Sequence, residues 1–99
     1  MILVIGDRND LDNFIKAKEH LIDTEKHHHI YGTKHIITLP EIAEMFPLED
    51  KQFVDLILHI LSYCNIIYCL KSWEVDNDAR LYHDYCDSNG YKIIYSKKY

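Results

Sequence analysis

Short apolar runs alternate with longer segments of helical spacing along this chain of 99 residues. The runs cover residues 1–6 (MILVIG), 35–38 (HIIT), 65–70 (NIIYCL) and 91–95 (YKIIY). A run without polar positions, such as the first, must be covered on both faces, which is typical of a central strand in a parallel sheet. The pattern therefore predicts four strands, with the first in the interior of the sheet.

The segment after the first strand has the spacing of an amphipathic helix. One face of this helix is apolar apart from Lys18, which can bury its aliphatic stem and keep its charge in water. The positions on that face are Leu11, Phe14, Ile15, Lys18, Leu21 and Ile22. Residues 24–34 are polar and contain a glycine, so a loop is predicted there.

Three further helices are predicted downstream. The first begins at Thr38, where a proline and a glutamate follow at the spacing of a capped helix start, and ends at Pro47. The other two are expected over residues 49–63 and 78–89. Gly90 suits the left-handed position just beyond the last of them.

Strands that alternate with helices predict a parallel sheet in one α/β domain over residues 1–99. Because the connections between parallel strands are right-handed, few arrangements of these four strands are possible. The simplest is a Rossmann-like or flavodoxin-like sheet of strand order 2-1-3-4 with helices on both faces. Ligands bind such sheets at the carboxyl ends of the strands, where the strand order reverses. Loops at residues 6–10 and 71–77 would flank that crevice.

Charge and composition exclude several functions. The net charge is −5, with acidic and basic residues mixed along the chain, which argues against a nucleic-acid partner. No apolar stretch approaches the ~20 residues of a membrane span, and no leader precedes the first strand, so we expect a cytoplasmic protein with no membrane partner. Three cysteines in or beside apolar segments predict buried, reduced thiols.

Neither a metal nor a cofactor is predicted. The first loop has one glycine, Gly6, whereas a dinucleotide-binding loop needs three. His27, His28 and His29 are consecutive and cannot all point at one ion, so a solvated loop is their expected environment. The cysteines form no Cys-x-x-Cys pair, which argues against a zinc ribbon.

The candidate ligand-binding residues lie in the two loops of the crevice and at the start of the last helix. They are Gly6, Asp7 and Asn9 in the first loop, Ser72, Trp73 and Glu74 in the third, and Arg80, Tyr82 and His83 near the floor or rim. Trp73 is the chain's single tryptophan, and its alternative role is to cap the apolar end of the sheet.

Several segments resemble the nucleoside 2-deoxyribosyltransferase-like superfamily, and more closely its small, mostly uncharacterised members from phages and bacteria. The most specific matches are Trp-Glu within SWE at residues 72–74 and Ala-Arg-Leu-x-His within DARLYH at residues 78–83, where Asp78 replaces a loop glycine of the family. The opening MILVIGDRNDL, the segment HIITLPEI, the pair CN at residues 64–65 and the closing NGYKIIY are weaker matches. The resemblance covers nearly the whole chain and implies a nucleoside or nucleotide ligand.

The chain departs from this family at the positions that carry catalysis. In the catalytic relatives a glutamate on the last helix attacks the anomeric carbon of the sugar, and Tyr82 stands at that position. A supporting aspartate is expected where Ile57 stands, and Asp55, the nearest carboxylate, is on a different helical face. Tyrosine, with an ordinary pKa of ~10, is a poor substitute for a carboxylate. The resemblance therefore implies a binding domain that has lost N-glycosidase or deoxyribosyltransferase activity.

Two other interpretations stay open. One is a surviving enzyme that uses Glu74 or Asp55 as its carboxylate. The other is a small interaction protein, of phage origin, that uses this scaffold to bind and modulate a host protein. Assembly into a homo-oligomer is compatible with each of them.

Overall fold

Four short parallel strands form one sheet with the order β2-β1-β3-β4. They are β1 (Ile2–Ile5), β2 (Ile36–Thr38), β3 (Ile66–Cys69) and β4 (Lys92–Tyr95). The computed structural model describes residues 1–32 and 35–99, so positions 33 and 34 of the predicted loop at 24–34 lie outside the described residues. The predicted strand order and the central place of the first strand are confirmed.

β1 is the centre of the hydrophobic core. Its Ile2 pairs with Ile36 of β2 on one side and with Ile66 of β3 on the other. All four side chains of β1 are fully buried, because neighbouring strands cover its edges and helices cover its faces. β4, by contrast, is an edge strand whose side chains are half-buried or exposed.

Within residues 1–32 and 35–99, four α-helices and one short 3₁₀ helix connect the strands. They are α1 (Leu11–His28), α2 (Leu39–Met45), α3 (Asp50–Leu61), the 3₁₀ helix (Lys71–Val75) and α4 (Asn77–Ser88). α1 leads from β1 to β2, whereas α3 and α4 lead to strands on the opposite side of β1. Right-handed crossovers therefore place α1 on one face of the sheet and α3 with α4 on the other.

The junction between β2 and α2 is built as the sequence predicts. Thr38 Oγ1 accepts a hydrogen bond from the backbone N–H of Glu41, and the Glu41 carboxylate accepts one from the backbone N–H of Thr38. Lys18 of α1 donates to the same carboxylate at 2.7 Å. Burial alone would raise the pKa of Glu41, but the hydrogen bonds from Lys18 and Thr38 outweigh burial and lower that pKa.

α1 is longer than predicted. It continues to His28, so the loop expected at residues 24–34 is helical over its first part. The extension is stabilised because Glu25 is buried on the same face as Leu21 and its carboxylate accepts a hydrogen bond from the backbone N–H of Tyr31. Glu25, for which the sequence predicts a solvated position, is therefore part of the packed face of α1.

The run of histidines ends α1 and does not form a loop. His27 and His28 lie in the last turn, where basic side chains interact favourably with the helix dipole. His29 adopts the left-handed conformation, with φ 51°, and its N–H bonds to the carbonyl of Glu25. His27 Nε2 is 3.3 Å from the carboxylate of Asp23 one turn earlier.

The apolar face predicted for α1 divides into two arcs. Phe14 and Leu21 are buried against the sheet, each about 1% exposed. Leu11, Ile15 and Ile22 are 54%, 57% and 46% exposed. At ~100° per residue, the three exposed positions share one arc that adjoins the buried one. α1 therefore carries a wider apolar stripe than the sheet covers.

All three cysteines are buried free thiols, as predicted. Cys69 and Cys86 are fully buried, and Cys64 is 6% exposed. Burial raises the pKa of Cys69 and Cys86 to about 12. These side chains are therefore protonated hydrophobic groups of the core at neutral pH.

Replacing Glu41 by Gln is expected to lower the free energy of unfolding at pH 7 by about 1 kcal/mol, since solvent screens this partly exposed ion pair. Because folding lowers the pKa of Glu41, its contribution is present above the unfolded pKa and is lost as the pH falls through the folded pKa. The difference between wild type and Glu41→Gln in urea unfolding should therefore shrink on acidification below pH 4.5, the ordinary pKa.

The matched control is Glu44→Gln on the same helix. Glu44 is exposed and forms no ion pair among the described residues, so its replacement should leave the urea midpoint unchanged. A difference for Glu41→Gln that stays constant from pH 7 to pH 3 would show that Glu41 acts through packing and not through its charge.

Candidate functional site

The carboxyl ends of β1 and β3 lie side by side, and the segments that follow them are in contact. The backbone N–H of Leu70 donates to the carbonyl of Ile5 at 2.9 Å, which continues the sheet by one step. The backbone N–H of Asp7 then donates to Ser72 Oγ at 3.1 Å. Ser72 belongs to the 3₁₀ helix, which forms where the sequence predicted a loop at residues 71–77.

Gly6 allows this close approach. A Cβ atom built at Gly6 would lie 2.9 Å from Leu70 Cβ, which is closer than real Cβ atoms approach such an atom, and 3.0 Å from Ser72 Oγ, which is tighter than most real Cβ contacts. The two chain segments therefore touch at this point and leave no space for a ligand between them. Any ligand space at this end of the sheet lies further out, along the first loop and the start of α4.

Arg8 of the first loop contacts the start of α3. Its guanidinium donates to Asp50 Oδ1 at 3.0 Å and lies over the ring of Phe53, 4.3 Å from the ring centroid. Sequence reasoning did not include Arg8 or Asp50 in the site. The position of Arg8 between Asp7 and Asn9 was the one indication in the sequence that Arg8 belongs to the site. Its partner Asp50 is 42 residues away along the chain, so their contact could not be predicted from local sequence.

The carboxylate of Asp7 is used locally. It accepts a hydrogen bond at 3.0 Å from the backbone N–H of Asn9, which fixes the turn of the first loop. The Asn9 side chain is exposed. Asp7 as a whole is half-buried.

Tyr82 is the most unusual side chain of the site. It is 1% exposed, and its hydroxyl has no hydrogen-bond partner among the described residues. Burial raises the pKa of Tyr82 above its ordinary value of 10, and the nearby Asp78 adds to this effect, while Arg8 opposes it. The hydroxyl is therefore a neutral phenol at physiological pH.

Two aspartates at the start of α4, Asp76 and Asp78, raise the pKa of Tyr82. Asp76 is the N-cap and accepts a hydrogen bond at 2.9 Å from the backbone N–H of Ala79. Burial and the charge of Asp76 raise the pKa of Asp78 above its ordinary value. Arg8 opposes the combined effect of Asp76 and Asp78 on Tyr82, so the charged surroundings of this side chain are predominantly acidic.

A separate cluster contains Trp73, His83 and Tyr95. The indole of Trp73 stacks on the His83 ring with centroids 4.0 Å apart. His83 Nε2 is 2.7 Å from the Tyr95 hydroxyl, and Nδ1 is 3.0 Å from Asp84 Oδ1. Both ring nitrogens of this histidine, which is 8% exposed, thus have partners within the protein. One face of Trp73 is therefore already occupied by a protein side chain.

The structure brings some of the predicted residues together and separates others. The first loop and Ser72 meet, but consecutive residues of α4 point in different directions. Tyr82 lies within the electrostatic influence of Arg8, and His83 lies against Trp73 and Tyr95. Glu74 and Arg80 are exposed, and so is Asp55 on α3, two positions before the buried Ile57.

Comparison with known proteins found no match: no family model, no curated protein and no solved structure is similar to this chain. Within residues 1–32 and 35–99, no group of three or more His, Cys, Asp or Glu side chains is arranged to hold a metal ion. In the same part of the chain, none of the helices combines the length and the apolar character needed to cross a membrane.

Gly6→Ala should test the contact between the two segments. The added methyl group must displace Leu70 or Ser72, so we expect a loss of about 1–3 kcal/mol in the free energy of unfolding, measured by urea denaturation. Asn9→Ala is the control in the same loop, because that side chain is exposed and should change the stability by less than ~0.5 kcal/mol. Equal stability of Gly6→Ala and wild type would show that the segments are further apart.

Proposed function

We propose that this protein binds a nucleoside at the acidic end of the crevice, beside Tyr82, and does not cleave it. The observation that carries the proposal is the buried Tyr82 hydroxyl without a partner among the described residues. A buried hydroxyl left unpaired costs ~1–3 kcal/mol, and such groups in folded proteins call for an explanation. A polar atom of a ligand, placed against this hydroxyl, would offset that cost.

The charges around Tyr82 support a nucleoside over a nucleotide. Asp76 and Asp78 lie at the start of α4 and would repel a phosphate. Arg8, the nearby cation, is already paired with Asp50. Carboxylates accept hydrogen bonds from the hydroxyl groups of a sugar. The family resemblance of the segments SWE and DARLYH supports a nucleoside or nucleotide as the ligand class, and the charges favour the nucleoside.

Access to Tyr82 requires a movement, since its hydroxyl is buried. Arg8 is the side chain best placed to move, because its ion pair with the exposed Asp50 is of the kind that contributes only ~0–1 kcal/mol. The guanidinium side chain is 34% exposed, so its displacement towards solvent disturbs little of the core. Arg8 lies over Phe53 and acts electrostatically on Tyr82, so a ligand that approaches the Tyr82 hydroxyl would compete with this guanidinium.

The absence of cleavage follows from the protonation of Tyr82. A neutral phenol attacks the anomeric carbon only when a general base takes its proton, and the Tyr82 hydroxyl has no hydrogen-bond partner among the described residues that could act as that base. The other two candidate nucleophiles, Asp55 and Glu74, have exposed side chains. Neither forms a hydrogen bond with the Tyr82 hydroxyl among the described residues. We therefore assign Tyr82 to binding and assign no catalytic residue.

Tyr82→Phe separates binding from stability. Removal of the unpaired hydroxyl should raise the free energy of unfolding by about 1 kcal/mol while abolishing nucleoside binding. Isothermal titration calorimetry with a panel of deoxynucleosides and ribonucleosides, alongside urea unfolding, measures both. Tyr63→Phe is the control, since Tyr63 is 71% exposed. Equal nucleoside affinity of Tyr82→Phe and wild type would refute the assignment.

No free base should be released from any nucleoside or nucleoside monophosphate by the wild-type protein. The measurement is chromatography of the reaction mixture after long incubation, with an Asp55→Asn/Glu74→Gln double variant as the reference. Turnover by the wild type clearly above that reference would establish a surviving enzyme. Release of base by Tyr82→Glu, but not by wild type, would show that the remaining groups of a glycosidase site are in place.

A second candidate function is the binding and modulation of another protein. The observation in its favour is the exposure of large aliphatic side chains on α1, at Leu11, Ile15 and Ile22. Contiguous apolar surface on a monomer is characteristic of interaction sites. This function does not require the crevice, so both functions can hold for the same molecule.

A further inference from the structure

A groove with a volume of about 430 Å³ lies between α1 and α2. Leu11, Ile15 and Ile22 supply its α1 side, and Pro40 contributes from α2. The three α1 side chains are each about half exposed. The groove is thus an open apolar trough and not an internal cavity.

The fold itself does not require these apolar side chains. α1 is held on the sheet by the neighbouring buried arc, which includes Phe14 and Leu21. Burial of large aliphatic side chains is favourable, and about half of that gain is unrealised in the isolated chain, because each of these three side chains is about half exposed. A partner that covered the groove would realise it.

The charged residues of the groove are predominantly acidic. They comprise one lysine and three glutamates. Lys18 is neutralised by Glu41, to which it donates at 2.7 Å. Glu19 on the α1 side and Glu44 on the α2 side form no ion pair within the described part of the chain. The apolar trough therefore has an unpaired carboxylate on each flank.

We propose that this groove binds an amphipathic helix of a partner protein, with an apolar stripe flanked by lysine or arginine. The proposal supplies the partner chemistry for the second candidate function and rests on it. From Leu11 to Ile22 the apolar arc is about 16 Å long, at 1.5 Å per residue. Three turns of a helix match that length, with anchor residues at i, i+4, i+7 and i+11.

A second copy of this chain fits the groove less well. In a two-fold symmetric dimer the same patch faces itself, so Glu19 and Glu44 would meet another acidic rim. The chain's net charge of −5 adds a general repulsion between copies. A basic helix instead places a cation opposite each carboxylate.

The two kinds of contact have different consequences. Apolar burial supplies most of the affinity, whereas exposed ion pairs are worth ~0.2–1 kcal/mol each and set the preference among partners. Two such pairs in the middle of that range amount to a preference of about five- to tenfold. The charge of the peptide flanks is therefore the measurable signature of this groove.

The test uses two fluorescein-labelled peptides of 14 residues with leucine at i, i+4, i+7 and i+11. One has lysine and the other has glutamate at the flanking positions. In fluorescence anisotropy at low salt, the basic peptide should bind saturably and about five- to tenfold more tightly than the acidic peptide. Glu19→Lys/Glu44→Lys should reverse that preference.

Ile15→Asp places a charge in the apolar arc and should weaken the basic peptide at least tenfold. Because Ile15 is 57% exposed, the variant should keep the far-ultraviolet circular dichroism and urea midpoint of wild type. Leu81→Asp is the matched control, since Leu81 is 46% exposed on α4 and lies outside the groove. Its peptide affinity should equal that of wild type.

Three outcomes would overturn the proposal. They are equal binding of the two peptides, no binding of either, and sedimentation of the free protein as a dimer that Ile15→Asp dissociates. Nucleoside binding is measured separately and does not depend on any of these results. A host protein that binds Ile15→Asp as well as wild type would reject the groove and keep the second candidate function on another surface.

Discussion

The burial of β1 is the constraint on which the rest of this structure depends. Its four side chains have no exposure, and strands flank it on both edges. A strand covered in this way requires a helical layer on each face of the sheet. Because the crossovers are right-handed, they decide on which face each helix lies. The chain must leave β1 directly beside the end of β3, and Gly6 permits this because any larger residue would collide with Leu70.

Much of this architecture follows from local patterns in the sequence. The apolar runs predict the strands because both faces of each central strand are buried, and Thr38 predicts the start of α2 because its hydroxyl caps the helix. The end of α1 did not follow in the same way. Glu25 and the three histidines are polar, so only the packing of Glu25 and its bond to Tyr31 show that the helix continues.

The candidate site was predictable in its location and less so in its contacts. The switch-point rule identified the two segments that meet through Asp7 and Ser72. It could not identify Asp50, because that contact depends on how α3 enters the structure. Neither could it separate Tyr82 from His83. Consecutive helical residues differ in direction by ~100°, so Tyr82 is buried within the electrostatic influence of Asp78 and Arg8, whereas His83 stacks on Trp73.

Trp73 and Tyr82 are both aromatic residues with a polar group near the carboxyl ends of the strands, but their polar surroundings differ. Trp73 is half-buried and stacked on a histidine whose nitrogens are both hydrogen-bonded, so this cluster is complete without a ligand. Tyr82 is more deeply buried and yet has no partner among the described residues. Packing and hydrogen bonds within the protein explain the positions of Trp73 and His83. They do not explain a buried Tyr82 hydroxyl. Tyr82 is therefore the side chain in this region whose burial the described contacts do not explain.

The same reasoning distinguishes the two arcs of α1. Replacement of Phe14 or Leu21 by a polar residue would disrupt the core, so folding alone explains why they are apolar. Replacement of Ile15 by a polar residue would cost the folded chain little, since more than half of this side chain is already in water. Folding therefore explains one arc and not the other. An exposed aliphatic side chain beside unpaired carboxylates acquires a physical role only when a second surface covers it, and a basic, apolar helix satisfies both features at once.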